Sequence, residues 1–321
     1  MNKKDLIDFS VELRRKKDKA KEFVKSGQLN EKQVKCRIII PKQLFDTSLE
    51  LQSDQWYFNG FIIDCEGKLI VVDPGVDFYS RFSSTGLQIN DIQALIVTHG
   101  HIDHTASLQI MIEKLLRNKS KRIDIFISQD AYNSKVPSYY HEQLSKSEHI
   151  KVVILSDNRG CLQDEILGKY KIEFLPLFHS CPDTFGFKMN INGKKLGYIA
   201  DTGYSIKIKT TLGVYCPNEF VGKFISIEEK HTYIRDFFSD VEANIVNIND
   251  IEYNRHSKYH LCARDVEDIL KGTKTQQLIL QHISPVNIEG EDSNYLYKLF
   301  FKDEPYQVVL PHYLGRTIFL W

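Results

Sequence analysis

The segment Thr98-His99-Gly100-His101-Ile102-Asp103-His104-Thr105 constrains this chain more than any other, because of what stands on either side of it. Before it runs Ala94-Leu95-Ile96-Val97, short, β-branched and fenced by polar residues, which reads as a buried strand. After it, Ala106 to Leu116 carries Leu108, Ile110, Met111 and Leu115 at helical spacing. The cluster therefore occupies a tight strand-to-helix loop, where several side chains can converge on one point. Three imidazoles and a carboxylate fall within residues 99–104. Neutral imidazole and carboxylate are the ligands preferred by zinc and related borderline metals.

Further residues of the same chemistry lie just past other apolar runs. Asp73 follows Leu69-Ile70-Val71-Val72 and precedes Pro74-Gly75. His179 follows Ile172-Glu173-Phe174-Leu175, Asp201 follows Leu196-Gly197-Tyr198-Ile199-Ala200, and His282 follows Leu278-Ile279-Leu280-Gln281. Any one of them alone reads as a hydrogen-bonded loop residue. Taken together they look like strand ends aimed into one crevice. In this order they resemble the metallo-β-lactamase superfamily: Asp, then His-x-His-x-Asp-His, then His, Asp and His. The resemblance runs from about residue 37 onward, with every signature position filled.

That resemblance implies an α/β fold, a four-layered αβ/βα sandwich with a two-metal site at one edge. Carried across by position, His99, His101 and His179 hold one divalent ion, and Asp103, His104 and His282 the other, with Asp201 bridging. Asp73 orients a ligand from behind. Zinc is the expected metal, with manganese or iron as alternatives. Two such cations lower the pKa of a shared water and clamp both the attacking and the departing oxygen. The implied chemistry is hydrolysis by a metal-bridging hydroxide, without a covalent enzyme intermediate, and with Asp103 and His260 as the catalytic side chains.

Departures within the superfamily narrow the reading. Di-iron oxygen-reducing relatives carry Glu where this chain has His101, and the stretch from Asp201 to His282 is too short for a β-CASP domain. His260, opening His260-Leu261-Cys262-Ala263-Arg264 before a helix ending near Lys271, is similar to a histidine of the tRNase Z branch. An imidazolium there neutralises a phosphate oxygen or protonates the leaving alkoxide. The alternative is that His260 caps its helix or packs locally. The neighbouring His256 reads as solvated.

That branch carries a tRNA-gripping arm between its third signature histidine and the bridging Asp. Here His179 and Asp201 leave room only for a hairpin, Thr184 to Met189 and Lys195 to Ala200 about an Asn192-Gly193 turn. Charge agrees: Lys+Arg and Asp+Glu are both 42, net +0, with a pI near 7.2. Grip on long RNA usually needs a basic excess. The expected activity is therefore a phosphodiesterase of a small nucleotide, a cyclic nucleotide favoured. A tRNase Z-like or other RNA or DNA nuclease is the alternative, and a metal-dependent ester, thioester or lactone hydrolase the second.

The partner is then a small-molecule nucleotide, with RNA the larger alternative. Base-stacking aromatics could come from Ala131 to His149 (Tyr132, Tyr139, Tyr140) or from Tyr204 to Asp240 (Tyr215, Phe220, Phe224, Tyr233, Phe237, Phe238). The plainer role for them is to cover the sandwich edge or a subunit contact. No run of 18 apolar residues offers a membrane span. The N-terminus carries no secretion signal. Six cysteines, Cys36, Cys65, Cys161, Cys181, Cys216 and Cys262, show no disulfide or metal spacing and read as reduced thiols of a cytoplasmic protein. Cys181, two positions past His179, reads as packing. Residues 1–35 read as an added N-terminal helix, with Leu6, Phe9 and Leu13 on one stripe, and 36–321 as the catalytic domain. Relatives are often homodimers, and the same is expected here.

Overall fold

A computed structural model of the protein describes residues 36–41, 59–156, 161–204, 208–210, 213–215, 227–251, 259–283, 297–298, 300–310 and 316–321. The expected N-terminal helix and His256 lie outside them. The first half of the chain forms strands β1 (Cys36–Ile40), β2 (Phe61–Cys65), β3 (Lys68–Val72), β4 (Ile92–Val97), β5 (Ile123–Ser128) and β6 (Ile150–Leu155). Between them lie helices α1 (Phe78–Ser84), α2 (Ile102–Thr105), α3 (Leu108–Arg117), α4 (Gln129–Lys135) and α5 (Ser138–Lys146).

The second half forms β7 (Leu162–Ile166), β8 (Tyr170–Leu177), β9 (Thr184–Ile191), β10 (Lys194–Ile199), β11 (Ile208–Thr210) and β12 (Gly213–Tyr215). Helix α6 (Ile227–Phe238), β13 (Ala243–Asp250), β14 (Leu261–Cys262), α7 (Ala263–Leu270), β15 (Gln277–Gln281) and β16 (Gln307–Val309) follow, and β17 (Arg316–Phe319) returns to the first sheet.

Among the described residues, one sheet runs β17-β1-β2-β3-β4-β5-β6 and the other β16-β15-β13-β10-β9-β8-β7, with β14 beside β13. Strands β3 to β6 are mutually parallel. A parallel strand covered on both faces reads as a continuous apolar run, which is why Ala94–Val97 shows no alternation. In the second sheet β10, β13 and β15 are parallel, while β9 and β10 form the expected hairpin. Its turn residues Asn192 (φ 54°) and Gly193 (φ 89°) both adopt the left-handed region that such two-residue turns require.

The sheets pack face to face through Phe61, Ile63, Ile70 and Ile96 on one side and Ile172, Phe174, Phe187 and Tyr198 on the other, all buried. A second core lies between the first sheet and its helices, built from Val71, Leu95 and Ile125 against Phe78, Phe82, Leu108 and Met111. Helices α6 and α7 form the fourth layer on the far side of the second sheet. There Gly186 and Gly197 leave room for Phe238, whose ring lies 3.3 and 2.9 Å from where their Cβ atoms would stand. The four-layered sandwich is therefore observed.

One helical expectation shifts. Ser107 donates from its backbone N to Pro74 O (2.9 Å) and from its hydroxyl to Gly75 O (2.8 Å). The chain breaks there into α2 and α3, so α3 buries Leu108, Met111, Ile112 and Leu115 and leaves Ile110 40% exposed.

Candidate metal centre

Strands that share a direction deliver their ends to one edge. Asp73 follows β3, the cluster Thr98 to His104 follows β4, and His179, Asp201 and His282 follow β8, β10 and β15. Eight side chains far apart in sequence meet there. Two groups of donor atoms result, each within 4.8 Å of one another: His99, His101, His179 and Asp201, then Asp103, His104, Asp201 and His282. Asp201 belongs to both.

Its Oδ2 lies 3.8 Å from His99 Nε2, 3.7 Å from His179 Nε2, 3.3 Å from His104 Nε2 and 3.6 Å from His282 Nε2. His101 Nδ1 meets His179 Nε2 at 3.0 Å, and Asp103 Oδ2 meets His282 Nε2 at 3.1 Å. Donor atoms gathered this closely stand at distances that one shared cation would span. His99 Nε2 decides the matter of fit: it is fully buried, aimed into the cluster, and has no hydrogen-bond partner. The His/Asp donor set suits a divalent metal.

A shell of polar groups sets ring orientation. Asp73 Oδ2 accepts from Thr98 Oγ1 (2.7 Å) and Tyr198 OH (2.9 Å) and faces His104 Nδ1 at 3.0 Å, while Oδ1 takes the Thr98 backbone N–H (2.8 Å). With its Nδ1–H given to Asp73, His104 presents Nε2 to the cluster. The carbonyl of Tyr259 does the same for His179 through Nδ1 (2.9 Å). Asn247 Nδ2 holds Asp201 Oδ1 (2.8 Å) and Tyr198 OH (3.0 Å), leaving Oδ2 free to bridge. Asp73 (φ 46°) and His282 (φ 61°) adopt left-handed backbone, a strain kept only where the surroundings enforce it.

Sequence reading missed Thr98, Tyr198 and Asn247. The signal for Asn247 was present: asparagines at 244, 247 and 249 interrupt an otherwise apolar buried strand.

The two groups differ electrostatically. Burial holds His99 well below the usual imidazole value, with His104 and His179 adding repulsion. Burial lowers His101 too, and takes His179 down to about 4. Burial also opposes charge on His104 and His282, but there the carboxylates of Asp103 and Asp201, joined at His104 by Asp73, prevail and raise both rings. Despite their own burial, Asp103 and Asp201 are held well below the carboxylate range by those rings. A cation entering the second group displaces protons; one entering the first finds lone pairs waiting.

Residues 68–214, which hold Asp73, the His99 to His104 cluster, His179 and Asp201, match the family described as Beta-lactamase superfamily domain. This stretch is similar to that superfamily's domain. The whole architecture matches the metallo-beta-lactamase fold protein YhfI from Bacillus subtilis at TM-score 0.59 and 14% identity, covering 88% of this chain and 98% of that one. The fold is thus the metallo-β-lactamase fold.

A curated relative, cAMP/cGMP-dependent 3',5'-cAMP/cGMP phosphodiesterase B of Dictyostelium discoideum, is 33% identical over 151 residues, 46% of this chain and 13% of that protein. Ribonuclease Z of Thermobifida fusca is 25% identical over 147 residues, 44% of each chain. The matched stretches therefore span less than half the length of either relative. These two relatives are named as a phosphodiesterase and a ribonuclease, and the His/Asp cluster of this chain has the donor set of a divalent-metal site.

His260 and His282 lie beyond the matched domain yet complete its site. The His260 ring stacks on His282 (centroids 5.4 Å, 22°), meets His179 edge-on at 5.0 Å, and places Nδ1 3.8 Å from Asp201 Oδ2. Its side chain is 21% exposed. It caps no helix, since Cys262 occupies the N-cap of α7, closed by Asp265, and β14 intervenes. Burial lowers its pKa to about 3.

Cys181 is more than packing. Its Sγ donates to Asp130 Oδ2 (2.8 Å) and accepts the Gly100 N–H (3.3 Å), steadying the loop between His99 and His101. Among the candidate stacking aromatics, Tyr132 and Tyr140 pack on the outer core and Phe238 is fully buried, so these take the plainer role. Tyr139 is 60% exposed, and Phe220 and Phe224 lie outside the described residues.

Proposed function

We propose that this chain is a binuclear-metal phosphodiesterase that hydrolyses a small nucleotide phosphodiester, a 3′,5′-cyclic nucleotide above all. The observation that carries the reading is His260. A partly exposed imidazole lies against both donor groups yet belongs to neither, where a substrate's phosphoryl group would lie. A carbon ester presents one polar oxygen at its reacting centre; a phosphodiester presents two non-bridging oxygens and a leaving alkoxide, and gives such a ring something to do.

The pair of divalent ions, when bound, supplies an activated water and stabilises charge on the phosphate. The chain's own residues do the rest. Asn247 prevents the Asp201 carboxylate from rotating away from its bridging position. His260 would hydrogen-bond a non-bridging oxygen through its ring N–H, or, protonated beside the bound phosphate, pass a proton to the departing alkoxide and return to neutral imidazole. Asp103, whose Oδ2 lies 3.1 Å from His282 Nε2, would join His104 and His282 in holding the second ion.

Similarity to the Dictyostelium phosphodiesterase supports a cyclic substrate. So does the short β9–β10 hairpin between His179 and Asp201, which leaves no arm for gripping a folded RNA. The stretch shared with Ribonuclease Z supports a nuclease as the second reading. Free thiols at Cys36, Cys65, Cys161, Cys181 and Cys262 support a cytoplasmic protein.

The test is a product screen of purified, metal-loaded protein against 3′,5′-cyclic mononucleotides, cyclic dinucleotides, a precursor tRNA and a thioester. Linear mononucleotide from the first substrates is the expected product. Cleavage of the tRNA alone turns the reading to a nuclease, and turnover of the thioester alone rejects a phosphodiesterase.

A further inference from the structure

Asn59 stands at the second donor group. It precedes β2, is 6% exposed, and its carbonyl accepts from Nη2 of the buried Arg81 at 2.8 Å. Next to it Gly60 adopts φ 108°, and a Cβ there would stand 2.5 Å from Asp73 O, so the backbone is pressed against the end of β3. This delivers the amide inward. Asn59 Nδ2 lies 2.9 Å from Asp103 Oδ2 and 3.0 Å from His104 Nε2, two of the four donor atoms of that group.

The amide NH2 occupies a place that a cation claims. Its Nδ2 stands against the very atoms of Asp103 and His104 that would bind metal. Once a divalent ion takes those lone pairs, an N–H aimed at the ion is repelled. Turning the amide over exchanges Nδ2 for Oδ1 at the same place, because the two ends are alike in shape. An amide oxygen is a competent ligand for a hard divalent ion. Spacing agrees. Donors sharing one cation at bond lengths of about 2.1 Å stand about 3.0 to 3.4 Å apart. The group's separations from His104 are 3.3 Å to both carboxylates, and from His282 they are 3.1 and 3.6 Å. Asn59 joins that pattern at 2.9 and 3.0 Å.

We propose that Asn59 is a fifth protein ligand of the second metal, binding through Oδ1 after its amide turns over. The inference rests on the two-metal reading of the site. It makes the groups unequal: three imidazoles and one carboxylate in the first, two imidazoles and three oxygen donors in the second. The oxygen-rich group then favours Mn2+ over the softer demand of the first.

The test uses protein loaded with Mn2+, the electron paramagnetic resonance signal of the coupled pair being followed as chelator is raised. Asn59→Ala is expected to lose the pair at chelator concentrations at least about tenfold lower than wild type. Asn59→Asp, which keeps an oxygen at the same place, is expected to hold it as wild type does. Loss in both variants alike overturns the inference, since Asn59 would then act by donating its N–H to Asp103, and Asp cannot. Wild-type behaviour of Asn59→Ala overturns it too.

Zinc loading of the wild-type protein gives a readout that needs no variant. The Asn59 side-chain amide 15N resonance is expected to shift, and an unmoved resonance in the two-zinc protein overturns the proposal. A wild-type chain that never shows a coupled pair overturns the two-metal reading itself, a distinct result.

Discussion

One oxygen of Asp73 faces Thr98, His104 and Tyr198 together, and no neutral group could serve all three. Asp73→Asn keeps the shape but supplies one acceptor and an NH2 in place of two anionic oxygens. Metal affinity is expected to fall 10- to 100-fold, read by metal per chain after dialysis against a graded chelator series. His260→Ala leaves both donor groups whole. It is expected to slow phosphodiester hydrolysis by about 10²-fold or more with metal content unchanged; loss of metal instead would show that His260 is a ligand. At this scale the chemistry-bearing residues were legible because each ends an apolar run, and His99 to His104 announce themselves by spacing. Tyr198 was not. Within Leu196 to Ala200 it is one more apolar residue, and its hydroxyl acquires a purpose only when the second sheet packs on the first and brings Asp73 opposite. Asn59 was hidden for the same reason, since its partners lie at residues 103 and 104.

Elements were easier to read where local chemistry decides them. Asn192-Gly193 specifies its hairpin, and the β-branched runs specify β3 and β4. The break between α2 and α3 was not visible, because it depends on Ser107 finding Pro74 and Gly75 across the edge of the sheet. The seating of α6 likewise depends on two glycines in neighbouring strands. Gly197→Val would drive a branched side chain into Phe238 and into Asn244 Oδ1, which lies 2.4 Å from the Cβ position. A cost of about 1 to 3 kcal/mol is expected, measured by urea unfolding of the metal-loaded protein. An unchanged midpoint would mean that α6 is free to lift away from the sheet.

Across the whole molecule the centre is a junction between layers. Asp73, His99, His101, Asp103 and His104 come from the first sheet's edge, and His179, Asp201 and His282 from the second. A bound ion therefore fastens the two sheets to each other, and its binding energy is also folding energy. At a thousandfold excess over Kd this is about 4 kcal/mol, on the order of 10 °C in Tm for a chain of this size. Calorimetry before and after chelation reads it, and equal melting temperatures would show that the centre is not fastening the layers. Gel filtration with light scattering separately tests the expected homodimer.

His282 closes the second donor group from the far end of β15, long after His104 has been made. While the chain is still emerging from the ribosome, it therefore displays His99, His101 and Asp103 without the partners that would complete a cage. Only when β15 has threaded in beside β13 does the pocket gain its last imidazole. The first donor group is complete in sequence at Asp201, whereas the second waits for His282, so the two halves of the centre depend on different lengths of folded chain.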